Sequence, residues 1–216
     1  MRFLRSTFVS IIVLSILVVA CSPKNNTEIE KTPALVPFKE TKITDTTTFA
    51  NNIQNYDGRV GVAGVFDVPE MLVMSLLDSA AKNDLANLTV KNYAILEKEM
   101  TEVGAELNGP IGVISYNNDL ENFVFESVVC IKRMPKKQPK QSKIVVLEAS
   151  KMLVFNFYGP YQNLFSAYNK IETYCKKNDL IQSGPIREFY MTDPAKENNP
   201  EKWLTRIFLP VISMRK

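Results

Sequence analysis

The strongest constraint on this fold is that the chain repeats itself. Met71-Leu72-Val73-Met74-Ser75-Leu76 returns as Met152-Leu153-Val154-Phe155-Asn156-Phe157, and Gly109-Pro110-Ile111 returns as Gly184-Pro185-Ile186. Between these landmarks each copy holds apolar residues at helical spacing. They are Leu88, Leu96, Met100, Val103 and Leu107 in the first copy, and Tyr161, Leu164, Tyr168, Ile171 and Cys175 in the second. Steps of three and four place such residues on one helix face. After each Gly-Pro comes a short strand pattern, 111–116 or 186–191, then a polar turn and another strand, 122–131 or 203–212. Each half, about 68–131 and 144–213, therefore reads strand–helix–strand–strand. Two such units predict an α+β fold: duplicated β-α-β-β units in a mostly antiparallel sheet, with two helices on one face and a central groove. The face opposite the helices, at the pseudo-two-fold, is the natural place for that groove. The link 132–143, KRMPKKQPKQSK, carries six basic residues and two prolines without apolar periodicity, and reads as a solvated connector.

The second copy concentrates the chemistry. Ile186, Glu188 and Tyr190 point to one face of their strand, Arg187, Phe189 and Met191 to the other. If the helices cover the Phe189 face, Glu188 faces the groove. A carboxylate beneath aromatic rings there attracts organic cations by charge and cation–π contact, and desolvation raises its pKa toward general acid–base use. The competing reading is a solvated strand glutamate, or one paired with Arg187 or Arg206. Aligning Tyr116 with Tyr190 puts Ile114 where the second half has Glu188, so the acid belongs to one half only. Tyr158 ends its strand beside the Gly159-Pro160 turn and is a candidate ligand contact. Tyr161 and Tyr168 suit either the groove or helix-face packing. Trp203, the single tryptophan, reads as a groove-rim residue or as edge packing. Glu126, among Phe123, Phe125 and Val128, is a possible second groove acid, while Asp193-Pro194 reads as turn chemistry.

Composition removes several functions. The chain has no histidine, which excludes Ser-His-Asp and Cys-His catalysis and imidazole metal ligation. Its three cysteines are too scattered for a structural zinc site, and Cys130 and Cys175 read as free thiols rather than a disulfide. Without Arg2 and Arg5 the balance is 24 basic against 23 acidic residues, which gives no basic footprint for nucleic acid. No cofactor and no metal are expected.

The N-terminus reads as an address. Residues 1–20 have a basic start and an apolar run from Phe8 to Val19, short for a spanning helix but typical of a secretory signal. Leu17-Val18-Val19-Ala20-Cys21 looks like a bacterial lipobox, with cleavage before Cys21 and lipid attachment to its thiol. Residues 21–60 form a polar tether and 61–216 the folded domain. The expected location is the bacterial cell envelope, lipid-anchored, with the outer membrane favoured because Ser22 follows the cysteine.

Several motifs together resemble a known family. Tyr158-Gly159-Pro160-Tyr161, the following helix, Gly184-Pro185, Glu188-x-Tyr190-x-x-Asp193-Pro194 and Ile207-x-x-Pro210-Val211 are similar to the GyrI-like superfamily, also called the AraC or Rob-type effector-binding domain. The resemblance covers about 68–211. It implies a ligand groove between the halves, lined by aromatics around a buried glutamate that corresponds to Glu188, with Tyr190 beside it. It also implies that a hydrolytic role is open, since some members are proposed to hydrolyse electrophilic small molecules. The related SOUL group is linked to haem, often through histidine, which this chain lacks. Leu204-Thr205-Arg206-Ile207 departs from the Thr-Glu-Ile common in the family, and no helix-turn-helix precedes the domain, so transcriptional regulation is not implied. Three readings remain: a membrane-tethered binder of apolar or cationic small molecules through Glu188, Tyr190, Tyr158 and Trp203; a small hydrolase with Glu188 as general base and Tyr190 beside it; or an envelope protein-interaction domain.

Overall fold

The first-half helix spans Lys82–Val103 and stops at Gly104, whose left-handed backbone (φ 71°) turns its N–H back onto the Met100 and Thr101 carbonyls. We call it α1. The computed structural model describes residues 61–119 and 121–214; the proposed signal, Cys21 and the tether lie outside them. The strands are β1 (Gly61–Val68), β2 (Met71–Ala80), β3 (Leu107–Ser115), β4 (Phe123–Ile131), β5 (Lys143–Leu147), β6 (Ser150–Tyr158), β7 (Leu180–Gln182), β8 (Ile186–Tyr190) and β9 (Leu204–Ser213). The second helix, α2 (Leu164–Lys177), follows a 3-10 turn at Tyr161–Asn163, which takes Tyr161 out of the regular helix.

All pairings are antiparallel, in the order β1-β6-β9-β8-β3-β4-β2-β5, with β7 on the end of β9. Read from the centre outwards this order is the same on both sides. β3, β4 and β2 of the first half mirror β8, β9 and β6 of the second, and the halves join through β3–β8. The expected β-α-β-β duplication is therefore present. Three strands were not foreseen, and two of them exchange. β1 precedes the first half but pairs with β6 of the second, and β5 opens the second half but pairs with β2 of the first. Neither carries a mark of this pairing in the sequence, because each finds its partner only in the other half.

Two-residue connectors, Pro69-Glu70 and Glu148-Ala149, join strands that lie at opposite ends of the sheet. Three Cα steps span at most about 11 Å. The sheet must therefore curl until its two ends meet at that corner. The curl encloses an apolar cluster that includes Val73, Val128, Cys130, Met152, Val154, Phe189 and Phe208 on the face away from the helices. Arg187 lies buried on this face, its guanidinium reaching the Glu148 carbonyl at 3.4 Å. The larger core is on the other face, where Leu85, Leu96 and Val103 of α1 and Leu164, Ala167 and Ile171 of α2 pack over Leu72, Met74, Leu153, Phe155 and Leu209. Helix α1 packs on β2 and β4, and α2 on β1, β6 and β7, which leaves the central pair β3–β8 between them.

Two local expectations change. The strand expected after Gly109-Pro110, over 111–116, begins before it; β3 runs through the pair with a register shift between Leu107 and Ile111. Leu107 leaves the helix pattern and lies exposed on that strand. The basic link is largely exposed, as expected, but it is also pinned. Buried Glu99 of α1 accepts the backbone N–H groups of Lys140, Gln141 and Ser142 and the Ser142 hydroxyl.

Candidate functional site

Strand alternation puts Ile186, Glu188 and Tyr190 on one face of β8, and that face is the helix side. Phe189 packs edge-on against Phe208, ring centroids 5.8 Å apart, in the cluster on the far side. The sequence pattern predicts the groove opposite the helices, with Phe189 beneath them. The structure reverses this, because the curled sheet fills its far face with its own side chains. Glu188 instead lies over the central strand pair, between α1 and α2.

Its surroundings are phenolic and apolar. Tyr168 of α2 donates its hydroxyl to Glu188 Oε1. Tyr93 of α1 reaches down to donate to the Gly112 carbonyl of β3 at 2.6 Å. Tyr190 lies two residues along the strand and meets Tyr161 edge-on at 5.2 Å, and Tyr161 lies 5.1 Å from Trp203. Directly opposite Glu188 stand Val113 on β3 and Ile207 on β9. Glu188 is 4% exposed, and Oε2 has no hydrogen-bond partner among the described residues. On the same face Thr205 Oγ1, across from Tyr190, and Ser127 Oγ, across from Val113, are also buried without partners. Such atoms are rare in native interiors, and three of them lie together on this face of the central strands. Ile111, Ser115 and Ile186 on this face stay half-exposed, so the strand pair is not fully roofed.

The electrostatics follow from burial. It pushes the Glu188 carboxyl up to about 7. Burial, and then the nearby Glu188 charge, holds the Tyr93 and Tyr190 phenols well above their ordinary value. Tyr161 is pushed up to about 12 by burial, with Asp193 adding to it. These tyrosines stay neutral donors and ring walls at physiological pH. The one group here that titrates near neutrality is the carboxylate.

The other candidates are dispersed. Trp203 is half-buried, its indole N–H donating to the Glu197 carbonyl at 2.7 Å, and it touches the tyrosine cluster through Tyr161. Tyr158 lines a cleft of about 490 Å³ with Phe157, Gln162, Lys170 and Glu201, and Glu188 is not among the lining residues. Glu126 is on the far face, accepting from Tyr116 at 2.7 Å, so it is no second acid for this place. Arg187 and Arg206 share that far face and pair with nothing at Glu188; Arg206 Nε donates to Asn156 Oδ1 at 2.7 Å. Asp193 behaves as a turn residue, its carboxylate accepting from Ala195 N–H. Cys130 and Cys175 are free thiols, and burial pushes the first up to about 12. Cys21 lies outside the described residues.

The structure also corrects the expected match of Glu188 with Ile114. The offset that carries Gly109-Pro110-Ile111 onto Gly184-Pro185-Ile186 carries Val113 onto Glu188, and these two residues are direct cross-strand partners. Glu188 therefore sits on the pseudo-two-fold, and its counterpart is Val113, not Ile114. Tyr93 was missed outright, although its place three residues before Leu96 on the buried side of α1 marks it as inward-facing.

A family model for the GyrI-like small molecule binding domain matches residues 78–212. The chain belongs to this family. The GyrI-like domain is similar in fold to the crystal structure of the EcmrR C-terminal domain, at 18% identity and TM-score 0.60, covering 69% of this chain and 96% of that one. It also resembles an uncharacterized conserved protein from Listeria innocua, at 16% identity and TM-score 0.56, covering 75% and 97%. A hydrolase from Listeria innocua follows at 18% identity and TM-score 0.51, covering 76% and 98%. At such identities these neighbours establish the fold alone. No curated protein matches the chain.

Proposed function

We propose that this GyrI-like domain binds apolar or cationic organic molecules over β3–β8, between the two helices, with Glu188 as the charge partner and Tyr93, Tyr168, Tyr190 and Tyr161 as the walls. The observation that carries this reading is the Glu188 carboxyl, buried on the symmetry axis with Oε2 unpartnered inside a ring of phenols. A carboxylate without a counter-ion in such surroundings gains most from a ligand that brings a diffuse positive charge and apolar surface. Trp203, the single tryptophan, is coupled to this cluster through Tyr161 and serves as the reporter. Saturable quenching of its fluorescence by lipophilic cations is expected, with at least tenfold weaker binding in Glu188→Gln. Equal affinity in that variant would remove Glu188 from the site. Lipidation of Cys21 would hold the domain at the envelope membrane, the outer membrane being favoured. Mass spectrometry of the mature N-terminus checks it, a diacylglyceryl-modified Cys21 being expected.

A second reading has its own support. Tyr168 occupies Oε1 and leaves Oε2 free, and a carboxyl near pKa 7 is poised to act as a general base at neutral pH. Hydrolysis of reactive esters or strained-ring electrophiles, lost in Glu188→Gln, is its test. Turnover unchanged in that variant and in Tyr190→Phe would dispose of it.

A further inference from the structure

Among the described residues, the groups that face Glu188 are uncharged. From its own strand it meets Tyr190, from α1 Tyr93 and from α2 Tyr168, with apolar Val113 and Ile207 on either side, while Tyr161 from the turn before α2 backs Tyr190. Arg187, Arg206 and Glu126 project from the opposite face of the sheet, and no ion pair forms at Glu188 among the described residues. An ionised carboxylate here would be a lone buried charge, which an apolar interior penalises heavily. An incoming monocation would also be a lone buried charge if it met a neutral acid. The pair is tolerated where neither ion alone is.

Resting on the binding reading above, we infer that in mildly acidic solution the site exchanges one proton for one organic monocation: there Glu188 keeps its proton while empty and releases it to solvent as the cation arrives. The Oε2–H bond breaks, its electron pair stays on the carboxylate, and the buried net charge is zero before and after. Tyr168 holds Oε1 throughout, so Oε2 is the oxygen that meets the ligand. The ligand class follows. Monocations enter with charge balance, dications leave one positive charge unbalanced, and neutral isosteres displace no proton.

The experiment is calorimetry of tetraphenylphosphonium, whose charge is independent of pH, binding to the full chain in detergent. Titrations in two buffers of different ionisation enthalpy count the protons released. The expected count is close to one at pH 5.5, falling to nearly none by pH 8.5. Affinity should rise about tenfold per pH unit up to the Glu188 pKa of about 7 and level off above it. Glu188→Gln should release no proton and bind with flat pH dependence. Tyr168→Phe, which removes the donor to the charged form, should move the midpoint to higher pH. Binding with no proton release and constant affinity from pH 5.5 to 8.5 would overturn the exchange and leave the binding reading standing. No binding at any pH would overturn both.

Discussion

Exchanging Glu188 for glutamine keeps shape and removes a titration, so its effect on stability depends on pH. The folded-state pKa of about 7 lies above the ordinary 4.5, so the folded state holds this proton more tightly than the unfolded chain. Below about pH 4.5 both states are protonated and nothing is lost. As pH rises towards 7 the native protein loses stability, by roughly 3 kcal/mol in all, and above 7 the loss is complete. Glu188→Gln should therefore be more stable than the native chain at pH 8 and nearly matched at pH 4.5, as read from urea denaturation at both values. Tyr93→Phe should cost about 1 kcal/mol by losing its bond to the Gly112 carbonyl. At this scale the sequence was partly legible. An acid and a tyrosine two apart on a strand announce a shared face, so Glu188 and Tyr190 could be paired on paper. Which face the helices covered could not, because Phe189 and Tyr190 are equally suited to a core. Tyr93 acts across a helix–strand contact that no local spacing encodes.

Among the elements, α1 shows how one carboxylate can fix a loop. Glu99 accepts three backbone N–H groups and a hydroxyl from the end of the basic link. Burial by itself would raise its pKa; the hydrogen bonds outweigh burial and hold it below the usual carboxylate value. The sign is thus opposite to that of Glu188: the anchorage is present above the unfolded pKa and is lost as pH falls through the lower folded one. Glu99→Ala should destabilise by about 2–3 kcal/mol, since it strands donors in a part-buried place. Amide hydrogen exchange at Lys140, Gln141 and Ser142 should rise with it. Helix existence was readable from periodicity, and so were the strands flanking each helix. The clamp was not, because KRMPKKQPKQSK has no apolar pattern and its tie to α1 consists of backbone donors that every loop possesses.

For the whole molecule, the central seam is the sensitive place. A Cβ on Gly112 would lie 2.2 Å from the Glu188 carbonyl oxygen and 2.6 Å from the Phe189 ring, so β3 and β8 can approach only with glycine there. Gly112→Ala should lower stability by about 3 kcal/mol or more, measured by thermal unfolding, and should also disturb ligand binding. The strand exchange makes a second claim at this scale. A fragment ending before β5 lacks the partner of β1 and the edge neighbour of β2. Expressed alone, residues 61–140 should lack the cooperative unfolding transition of the full chain by circular dichroism. Duplication was legible because a helix pattern recurs between a recurring Met-Leu-Val strand motif and a recurring Gly-Pro-Ile. Exchange was not, since antiparallel pairing leaves no mark in either strand of which half its partner comes from.

The position of Glu188 on the axis between Val113 and its own strand has an evolutionary consequence. A homodimer of one half would present the same residue twice at this self-paired position, with Cβ atoms about 5 Å apart. Two glutamates there would repel and share a proton, and two valines would leave no acid. A single carboxyl at the centre is open only to a chain in which the two copies, fused, were free to diverge.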